Sequence, residues 1–359
     1  MTTDILLTGT GGFAGRIAFD IAATAKEPVH VTVAGRNRDR LRWLVTAGNG
    51  RAALFGTPAR FAAYEADLLA DGVPDAMIAA LAPKIVAQAA SVQTSQVIAS
   101  RESRWARLVA DGGLAITAPS QALLSIRVAE AITRSGRAIS FFNCGFPDVV
   151  NGLIRALGHG IVSGFGNIAI LSNAFAGHEG IASDRLKMLA HYQNLATFRQ
   201  APAERSGSTP RVFVDGAEVA DVYARYRDVQ LTREPAIELS GASGVPLLLA
   251  LAAGKAWTGH VPGPNGLPGG YPVRLEGGAL VLDLPDGVTE AEAVAFNAAY
   301  EANGGMVVEG DDVIFTGKTR EALARYDAAI SGGFAVADTM AAIDRFEALR
   351  ASLSREAAA

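Results

Sequence analysis

The stretch Ile5-Leu6-Leu7-Thr8-Gly9-Thr10-Gly11-Gly12-Phe13-Ala14-Gly15 decides the fold of this chain. Its apolar residues predict a buried strand, and its glycines predict a sharp turn into a helix, because glycine adopts positive φ without a steric penalty. A helix that begins there points its free N–H groups and the positive end of its dipole at the turn. A phosphate can approach closely, because no Cβ intervenes. The stretch therefore predicts a nucleotide-binding domain.

A second apolar run, residues 29–34, ends in Gly35-Arg36-Asn37-Arg38. Proteins that select NAD usually end this strand with Asp or Glu, whose carboxylate binds the ribose hydroxyls and repels an added phosphate. A guanidinium instead binds a 2′-phosphate through paired, charge-assisted hydrogen bonds. We therefore expect NADP(H); the alternative is that these arginines only begin a solvated helix. The residues predicted to bind the cofactor are Gly9, Thr10, Gly11, Gly12, Phe13, Ala14, Gly15, Arg36, Asn37, Arg38, Asp67, Ala90 and Ser91.

The composition predicts a soluble, cytoplasmic protein with a large core. The chain has 359 residues, of which 50% are hydrophobic, and its mean hydropathy is +0.22. No apolar run reaches the roughly 18 to 20 residues that cross a bilayer, and no signal peptide is expected. The single cysteine, Cys144, cannot form an internal disulfide and suits a reducing compartment. A net charge of -4 gives no basic footprint for nucleic acid.

The order of apolar segments predicts an α/β protein with two domains, since the chain exceeds the about 100 to 200 residues of one domain. Residues 1–150 alternate strand and helix patterns, which predicts a Rossmann-type, doubly wound parallel sheet that binds a dinucleotide. Residues 151–318 are expected to form a second, α+β domain with a largely antiparallel sheet for substrate binding and dimerisation. Residues 319–359 are expected to form C-terminal helices that pack back on the first domain.

Strands are predicted where apolar runs are bounded by turn residues. In the first domain these runs cover residues 4–8, 30–34, 60–64, 84–89, 113–117 and 138–143. Their near-continuous apolar character is typical of a parallel sheet that is covered on both faces. The helices predicted between them include residues 12–25 and 123–135. The strands predicted in the second domain are residues 167–173, 211–214 and 279–284.

The two N-terminal motifs read Thr8-Gly-Thr-Gly-Gly-Phe-Ala-Gly-Arg16 and Val33-Ala-Gly-Arg-Asn-Arg-Asp-Arg-Leu41. They resemble the N-terminal domain of the saccharopine dehydrogenase-like family, whose members carry Gly-Ala-x-Gly-Phe/Tyr-x-Gly-Arg and then Ala-Gly-Arg-Asn. Two later stretches, Cys144-Gly-Phe-Pro-Asp-Val-Val-Asn151 and Ser240-Gly-Ala-Ser-Gly-Val-Pro246, are similar to loops of that family. The resemblance implies an NADPH-dependent oxidoreductase that acts on a small amino or oxo acid or an imine, in the cleft between its domains.

Substrate contacts are expected at the carboxyl ends of the parallel strands, where ligands of such sheets bind. Asp148 follows the last of these strands and stands where the family pattern has glycine. Its alternative role is that of a helix N-terminal carboxylate that offsets free N–H groups. The residues predicted to bind substrate are Gln93, Phe146, Asp148 and Asn151.

Reduction of a C=O or C=N bond also needs a proton donor within hydrogen-bond reach. His178 is a candidate because the neighbouring Glu179 could orient its imidazole. His260 and Tyr271 flank a glycine- and proline-rich run, which predicts either a rigid irregular connection or a lid over the cleft. Lys255 follows an apolar helix, where it could equally serve the helix dipole. The predicted catalytic residues are His178, Lys255, His260 and Tyr271.

Other functions stay open as alternatives. The chain has no Tyr-x-x-x-Lys pair, so a protein that senses NADPH without turnover is one alternative, and an enoyl reductase acting on C=C bonds is another. No metal site is predicted, because the chain lacks a His-x-x-x-His pair and a cysteine cluster. The expected partners are a small-molecule substrate and a second copy of the chain in a homodimer, without nucleic acid or membrane.

Overall fold

A computed structural model describes residues 3–93 and 103–355. Helices and strands alternate in its first part: β1 (Ile5–Thr8), α1 (Gly12–Thr24), β2 (Val29–Gly35), α2 (Arg38–Phe55), β3 (Ala59–Glu65), α3 (Val73–Leu81), β4 (Ile85–Gln88), α4 (Arg104–Gly112), α5 (Ala118–Ser135) and β5 (Ser140–Asn143). The five strands are parallel and form one sheet in the order β3-β2-β1-β4-β5. This is the strand order of a Rossmann-type, doubly wound sheet.

Strand β1 lies at the centre of this sheet and is covered on both faces. Successive side chains of a strand point to opposite faces. Leu6 packs in one hydrophobic cluster with Trp105 of α4, whereas Ile5 and Leu7 pack in another with Ile17 of α1. All of these side chains are fully buried. The continuous apolar run therefore forms a strand because both of its faces leave water, as a parallel sheet requires.

The rest of the described chain is built on antiparallel sheets. Its helices and strands are α6 (Val149–Ala156), α7 (Ile168–Glu179), β6 (Leu186–Leu189), α8 (Tyr192–Thr197), β7 (Arg211–Val214), β8 (Ala217–Glu218), α9 (Val222–Arg225), α10 (Arg233–Ala242), α11 (Val245–Ala252), β9 (Trp257–Pro262), β10 (Gly270–Glu276), β11 (Ala279–Leu282), α12 (Glu290–Gly304), β12 (Met306–Glu309), β13 (Asp312–Phe315), α13 (Gly317–Ala324), β14 (Gly333–Ala335) and α14 (Thr339–Ser354). The strands form three sheets, ordered β6-β7-β8, β11-β10-β9 and β12-β13-β14. The predicted α/β fold class is confirmed.

Two of the predicted strands are wrong. Residues 113–117 contain a 3-10 helix, Leu114–Thr117, which follows Gly113 at a φ of 91° and leads into α5. Residues 168–173 belong instead to α7, with Asn167 as its N-cap, and the buried positions Ile168, Leu171 and Phe175 of this helix recur at helical spacing. Both segments are short apolar runs, and periodicity alone does not separate a buried strand from a buried helix in such runs.

The antiparallel part covers both faces of the parallel sheet. On one face, α10 and α11 contact α1, and the buried residues Val261 and Tyr271 share a hydrophobic cluster with Leu7. On the other face, α13 contacts α4, and α14 contacts α4 and α5. The division into domains at residues 150 and 318 stays a prediction. Within residues 3–93 and 103–355, no helix is long and apolar enough to span a bilayer.

The two-sided burial of β1 predicts a large cost for shortening its side chains. We expect Leu6→Ala to lower the free energy of unfolding by about 2–5 kcal/mol, because it removes buried methyl groups and leaves a cavity. Leu54→Ala is the matched control: the same change at a side chain that is 78% exposed should alter stability by less than about 0.5 kcal/mol. Urea denaturation measures both, and equal effects would contradict the central position of β1.

Candidate functional site

The candidate site lies where the strand order reverses, between β1 and β4. The chain leaves β1 through Gly9, which has a φ of 102°. A Cβ on Gly9 would lie 2.9 Å from the backbone nitrogen of Ala90, just beyond β4. Below this contact, Thr8 Oγ1 donates a hydrogen bond to Gln88 Oε1, which joins the ends of the two strands. Only glycine therefore allows the two segments to meet at this point, where doubly wound sheets bind ligands.

The first turn of α1 is open to a ligand. Gly11 is the N-cap residue, no side chain caps the helix, and the first turn contains no acidic residue. Gly11 and Gly12 are exposed, and a Cβ on Gly11 would meet no atom within 4 Å. By contrast, a Cβ on Gly15 would lie 3.4 Å from Leu44 Cδ2 of α2, so the absence of a side chain there lets α1 and α2 pack closely. Free N–H groups and open space before a helix are the features that bind a diphosphate.

The three polar residues after β2 have different surroundings. Asn37 caps α2, because its Oδ1 accepts a hydrogen bond from the Arg40 backbone nitrogen at 2.9 Å. Arg38 pairs with Glu65 at 2.5 Å, which holds its guanidinium at the end of β3. Arg36 is exposed and makes no hydrogen bond or ion pair with any residue in the described part of the chain. Of the three, Arg36 is the one whose guanidinium is available to a ligand.

Arg40 also contacts the turn after β1, and sequence reasoning assigned it no role. Its Nε donates a hydrogen bond to the Thr10 carbonyl oxygen at 3.3 Å, and its guanidinium lies 4.2 Å from the ring centroid of Trp43. This contact ties α2 to the glycine turn. The sequence feature that could have identified Arg40 is its position in the first turn of α2. This helix begins at the same edge of the sheet as the glycine turn.

Four more of the residues predicted to bind cofactor or substrate follow β3 and β4. Asp67 is exposed, and its Oδ1 accepts a hydrogen bond from the Leu69 backbone nitrogen at 3.1 Å. Ala90 packs against Gly9 through its backbone, and Ser91 donates a hydrogen bond to the Gln93 carbonyl oxygen at 2.7 Å. Gln93 is buried, and its side-chain amide has no hydrogen-bond partner among residues 3–93 and 103–355.

The segment after β5 carries a buried polar network. Asn143 Nδ2 donates to Asn151 Oδ1 at 2.8 Å, and Asn143 Oδ1 accepts from Ser125 Oγ at 2.8 Å. Asn151 also faces Gly263, where a Cβ would lie 2.4 Å from its Nδ2. The structure therefore places Asn151 in the packing of α6 against the antiparallel region. Phe146 is partly buried and precedes a cis peptide bond to Pro147.

Asp148 has an unsatisfied carboxylate. It is 6% exposed and stands at the N-cap position of α6, but its side chain makes no capping hydrogen bond. Asn167 Nδ2 donates to its Oδ1 at 2.5 Å, while its Oδ2 has no hydrogen-bond partner in the described residues. Burial raises the pKa of Asp148 to about 7, and the hydrogen bond from Asn167 opposes this rise. A buried polar atom without a partner is costly and marks a place where a ligand can bind.

A second carboxyl group, that of the partly buried Glu301, is close enough to Asp148 for their charges to interact. Glu301 of α12 accepts a hydrogen bond from the Gly269 backbone nitrogen at 3.4 Å. Burial raises the pKa of Glu301 to about 8, and the charge of Asp148 adds to this rise. Glu301 lines a cavity of about 10 Å³ together with Pro147, His191 and Tyr192. Sequence reasoning missed Glu301 and Tyr192, because neither lies near a motif and only the fold brings them into a cavity with Pro147.

The structure does not bring His178 and Lys255 to this site. His178 is exposed at the end of α7, 11 residues beyond Asn167, which is about 16 Å along a helix. Its neighbour Glu179 pairs with Arg225 at 2.6 Å and does not hydrogen-bond to the imidazole. Lys255 pairs with Glu27 at 2.5 Å, beyond the C-terminal end of α1. That end lies about 20 Å from Gly11.

His260 and Tyr271 are buried within the antiparallel region. They lie on the paired strands β9 and β10, where His260 is opposite Pro272 and Tyr271 is opposite Val261. Neither imidazole nitrogen of His260 has a partner in the described residues, and burial lowers its pKa to about 3. Burial also raises the pKa of Tyr271. The run between them connects these two paired strands, and its glycines pack against Asn151, Arg155 and Asn297.

The chain shares its fold with solved dehydrogenase structures. The malate dehydrogenase from Salinibacter ruber aligns with a TM-score of 0.51 at 11% identity, covering 84% of this chain and 96% of that chain. The lactate dehydrogenase from Eimeria maxima, solved with NADH and oxamate, aligns with a TM-score of 0.50 at 12% identity. This alignment covers 84% of this chain and 93% of that chain. Such low identities show the fold alone.

No protein-family model matches this chain, and no curated protein sequence matches it. The resemblance to the saccharopine dehydrogenase-like family therefore stays a prediction. The fold and site together define the class of the protein: a Rossmann-type fold with an open, glycine-lined helix N-terminus at the switch point of its sheet.

The buried Asp148 predicts a pH-dependent stability. Its pKa rises from about 4 in the unfolded chain to about 7 in the folded protein, so the folded state holds a proton that the unfolded state releases in this range. The free energy of unfolding should therefore fall as pH rises from 4 to 7, by up to about 1.4 kcal/mol per pH unit from this group. Asp148→Asn should remove that contribution, as measured by urea denaturation at each pH. The exposed Asp286→Asn is the control, and an unchanged slope in Asp148→Asn would contradict the burial.

Proposed function

We propose that this chain is an NADP(H)-dependent oxidoreductase that transfers hydride between the cofactor and a small amino or oxo acid or an imine. The observation that carries the proposal is the open first turn of α1, where Gly11 leaves free N–H groups and unfilled space at the switch point. The Eimeria maxima lactate dehydrogenase, which has the same fold, was solved with NADH and oxamate. The shared fold supports a dinucleotide as the cofactor, and the open first turn of α1 supports the binding of its diphosphate at that turn.

The residues present fit a nicotinamide dinucleotide phosphate. The amides of Gly12 and Phe13 would hold the diphosphate, and Gly9 keeps the turn close to β4. Arg36 would bind the 2′-phosphate, because its guanidinium is exposed and unpaired within the described ranges. Arg38 contributes less, since Glu65 already holds it. When bound, the nicotinamide supplies or accepts the hydride.

Asp148 is the proposed proton donor and acceptor. Reduction of a C=O or C=N bond consumes one proton, and the reverse reaction releases one. Asp148 lies at the carboxyl end of β5, and its Oδ2 has no partner in the described residues, so it can hold or give up a proton to a substrate. A pKa near 7 makes both protonation states available at neutral pH. His178 and Lys255 are not proposed for this step because of their distance from it.

The cofactor assignment predicts a selective effect of Arg36. We expect Arg36→Ala to weaken NADPH binding by about 10- to 100-fold, because a charged hydrogen bond to the 2′-phosphate is lost. NADH binding should change by less than about threefold, since NADH lacks that phosphate. The control is Arg42→Ala, an exposed arginine in the same stretch that pairs with Asp39. Fluorescence titration measures all of these affinities.

Two results would contradict the cofactor assignment. One is tighter binding of NADH than of NADPH by the unmodified protein. The other is an equal loss of affinity for both dinucleotides in Arg36→Ala. That result would mean that Arg36 contributes to the binding of both dinucleotides and does not recognise the 2′-phosphate.

The proton-transfer assignment predicts that Asp148→Asn lowers kcat at least about 100-fold at neutral pH. Its affinity for NADPH should stay unchanged, because Asp148 follows β5, which β4 separates from β1 and its glycine turn. Oxidation of NADPH is followed by absorbance with a panel of oxo acids and amines, with Asp286→Asn as the control. A protein that binds NADPH without oxidising it on any panel member would be the sensor alternative, and full activity of Asp148→Asn would remove Asp148 from the mechanism.

A further inference from the structure

We propose that Arg40 is a second ligand of the 2′-phosphate of NADP(H), beside Arg36, and that Trp43 is the residue that positions it. The inference rests on the proposed function in taking the same dinucleotide. A phosphate monoester carries about 1.5 to 2 negative charges at neutral pH, so one guanidinium leaves part of that charge uncompensated. A second cation at the same place would complete the subsite.

Arg40 lies between the glycine turn and the end of β2. Its Nε donates a hydrogen bond to the Thr10 carbonyl oxygen at 3.3 Å. Thr10 also packs against the last residue of β2, since a Cβ on Gly35 would lie 2.8 Å from Thr10 Cγ2. Arg36 follows Gly35 directly. The two arginines therefore flank the same turn residue, at the end of the sheet where an arginine accommodates a 2′-phosphate.

The terminal nitrogens of Arg40 are available to an anion. A guanidinium has five N–H donors, and the hydrogen bond to Thr10 uses the one on Nε. In the described part of the chain, Nη1 and Nη2 of Arg40 make no hydrogen bond and no ion pair. Arg38 and Arg42, by contrast, each pair with a carboxylate. Arg40 therefore keeps the planar fork of donors that binds a phosphate through two hydrogen bonds.

Trp43 holds this guanidinium in place. The two residues are three apart in α2, a spacing that brings side chains together on one face of a helix. The guanidinium carbon of Arg40 lies 4.2 Å from the centroid of the indole, within the range of a cation–π contact. Phe19 of α1 packs edge-on against the same indole, with the ring centroids 5.4 Å apart. The indole is thus supported by α1 and presents a face to Arg40.

The exposure of Trp43 indicates that its role is not in the core. Its side chain is 47% exposed, which is unusual for a tryptophan that has only a packing role. An arginine that is ordered before a ligand arrives loses less side-chain entropy on binding. Arg36 has no partner among the described residues and would be ordered only by the phosphate. The subsite would therefore combine one preordered guanidinium with one that adapts.

The test compares two probes that differ only in the 2′-phosphate, 2′-phospho-ADP-ribose and ADP-ribose. Neither carries a nicotinamide, so their binding to the full chain, measured by isothermal titration, does not depend on hydride transfer. Arg40→Ala should weaken binding of 2′-phospho-ADP-ribose about tenfold or more, because a pair of charge-assisted hydrogen bonds is lost. Binding of ADP-ribose should fall by less than about threefold, the loss of the Thr10 contact alone. Arg42→Ala is the matched control and should bind both probes as the unmodified protein does.

Variants of Trp43 test the positioning role. Trp43→Leu should weaken binding of 2′-phospho-ADP-ribose about threefold and leave ADP-ribose unchanged, whereas Trp43→Phe should restore most of the affinity because an aromatic face remains. In the Arg40→Ala background, Trp43→Leu should have no further effect, because Trp43 acts through Arg40. Phe55→Leu is the matched control: Phe55 is 51% exposed at the other end of α2 and lies beside Arg51.

Several results would overturn the inference. Equal losses for the two probes in Arg40→Ala would mean that Arg40 only supports the glycine turn, and unchanged binding would remove it from the subsite. A loss in Trp43→Leu that is equal for both probes, or no loss, would reject the positioning role. If Arg40→Ala fails to fold by circular dichroism, Arg40→Lys replaces it. Lysine keeps the charge but lacks the planar fork, so a severalfold loss confined to 2′-phospho-ADP-ribose is expected.

The outcomes also separate this inference from the proposed function. A selective loss in Arg36→Ala, together with unchanged binding in Arg40→Ala, would reject the inference and leave the cofactor assignment standing. Selective losses in both variants, in a protein that binds NADPH but oxidises it with no oxo acid or amine, would support the inference and reject the oxidoreductase. An unmodified protein that binds both probes equally would overturn the inference and the NADP(H) assignment together.

Discussion

The close approach of two backbone segments, after β1 and after β4, is the constraint on which the site depends. A Cβ on Gly9 would lie within about 3 Å of the backbone of both Ala89 and Ala90. A side chain there would force the ends of the two strands apart at the switch point. Because Gly9 lets them meet, the first turn of α1 begins at the switch point of the sheet, where doubly wound sheets bind ligands.

Desolvated carboxyl groups are the second determinant of the site. Asp148 and Glu301 come from segments more than 150 residues apart in sequence, yet burial raises the pKa of both carboxyl groups and the charge of Asp148 raises that of Glu301 further. Burying them without a cation is unfavourable for the fold. Such a cost is typical of residues retained for chemistry or binding, and here it coincides with the carboxyl end of β5.

Features that depend on residues close together in the chain were predicted from the sequence, whereas features that depend on contacts between distant segments were not. The glycine turn, the central strands and the first helix were predicted closely, because local conformation and two-sided burial leave a periodic signal. The strands predicted at residues 113–117 and 167–173 were wrong, since periodicity alone does not separate a buried strand from a buried helix in short apolar runs. Arg38 shows the same limit: its charge was visible in the sequence, but its ion pair with Glu65 depends on the pairing of β2 with β3.

By itself, the sequence determined the α/β class, the parallel sheet and the position of the glycine turn after its first strand. These properties depend on residues that lie close together in the chain, such as Gly9 and Gly11. Only the tertiary structure decided that Arg36 is unpaired within the described chain, that Asp148 does not cap α6, and that Glu301 and Tyr192 line a cavity with Pro147. Burial and long-range charge decide these properties, and both arise only when distant segments pack together.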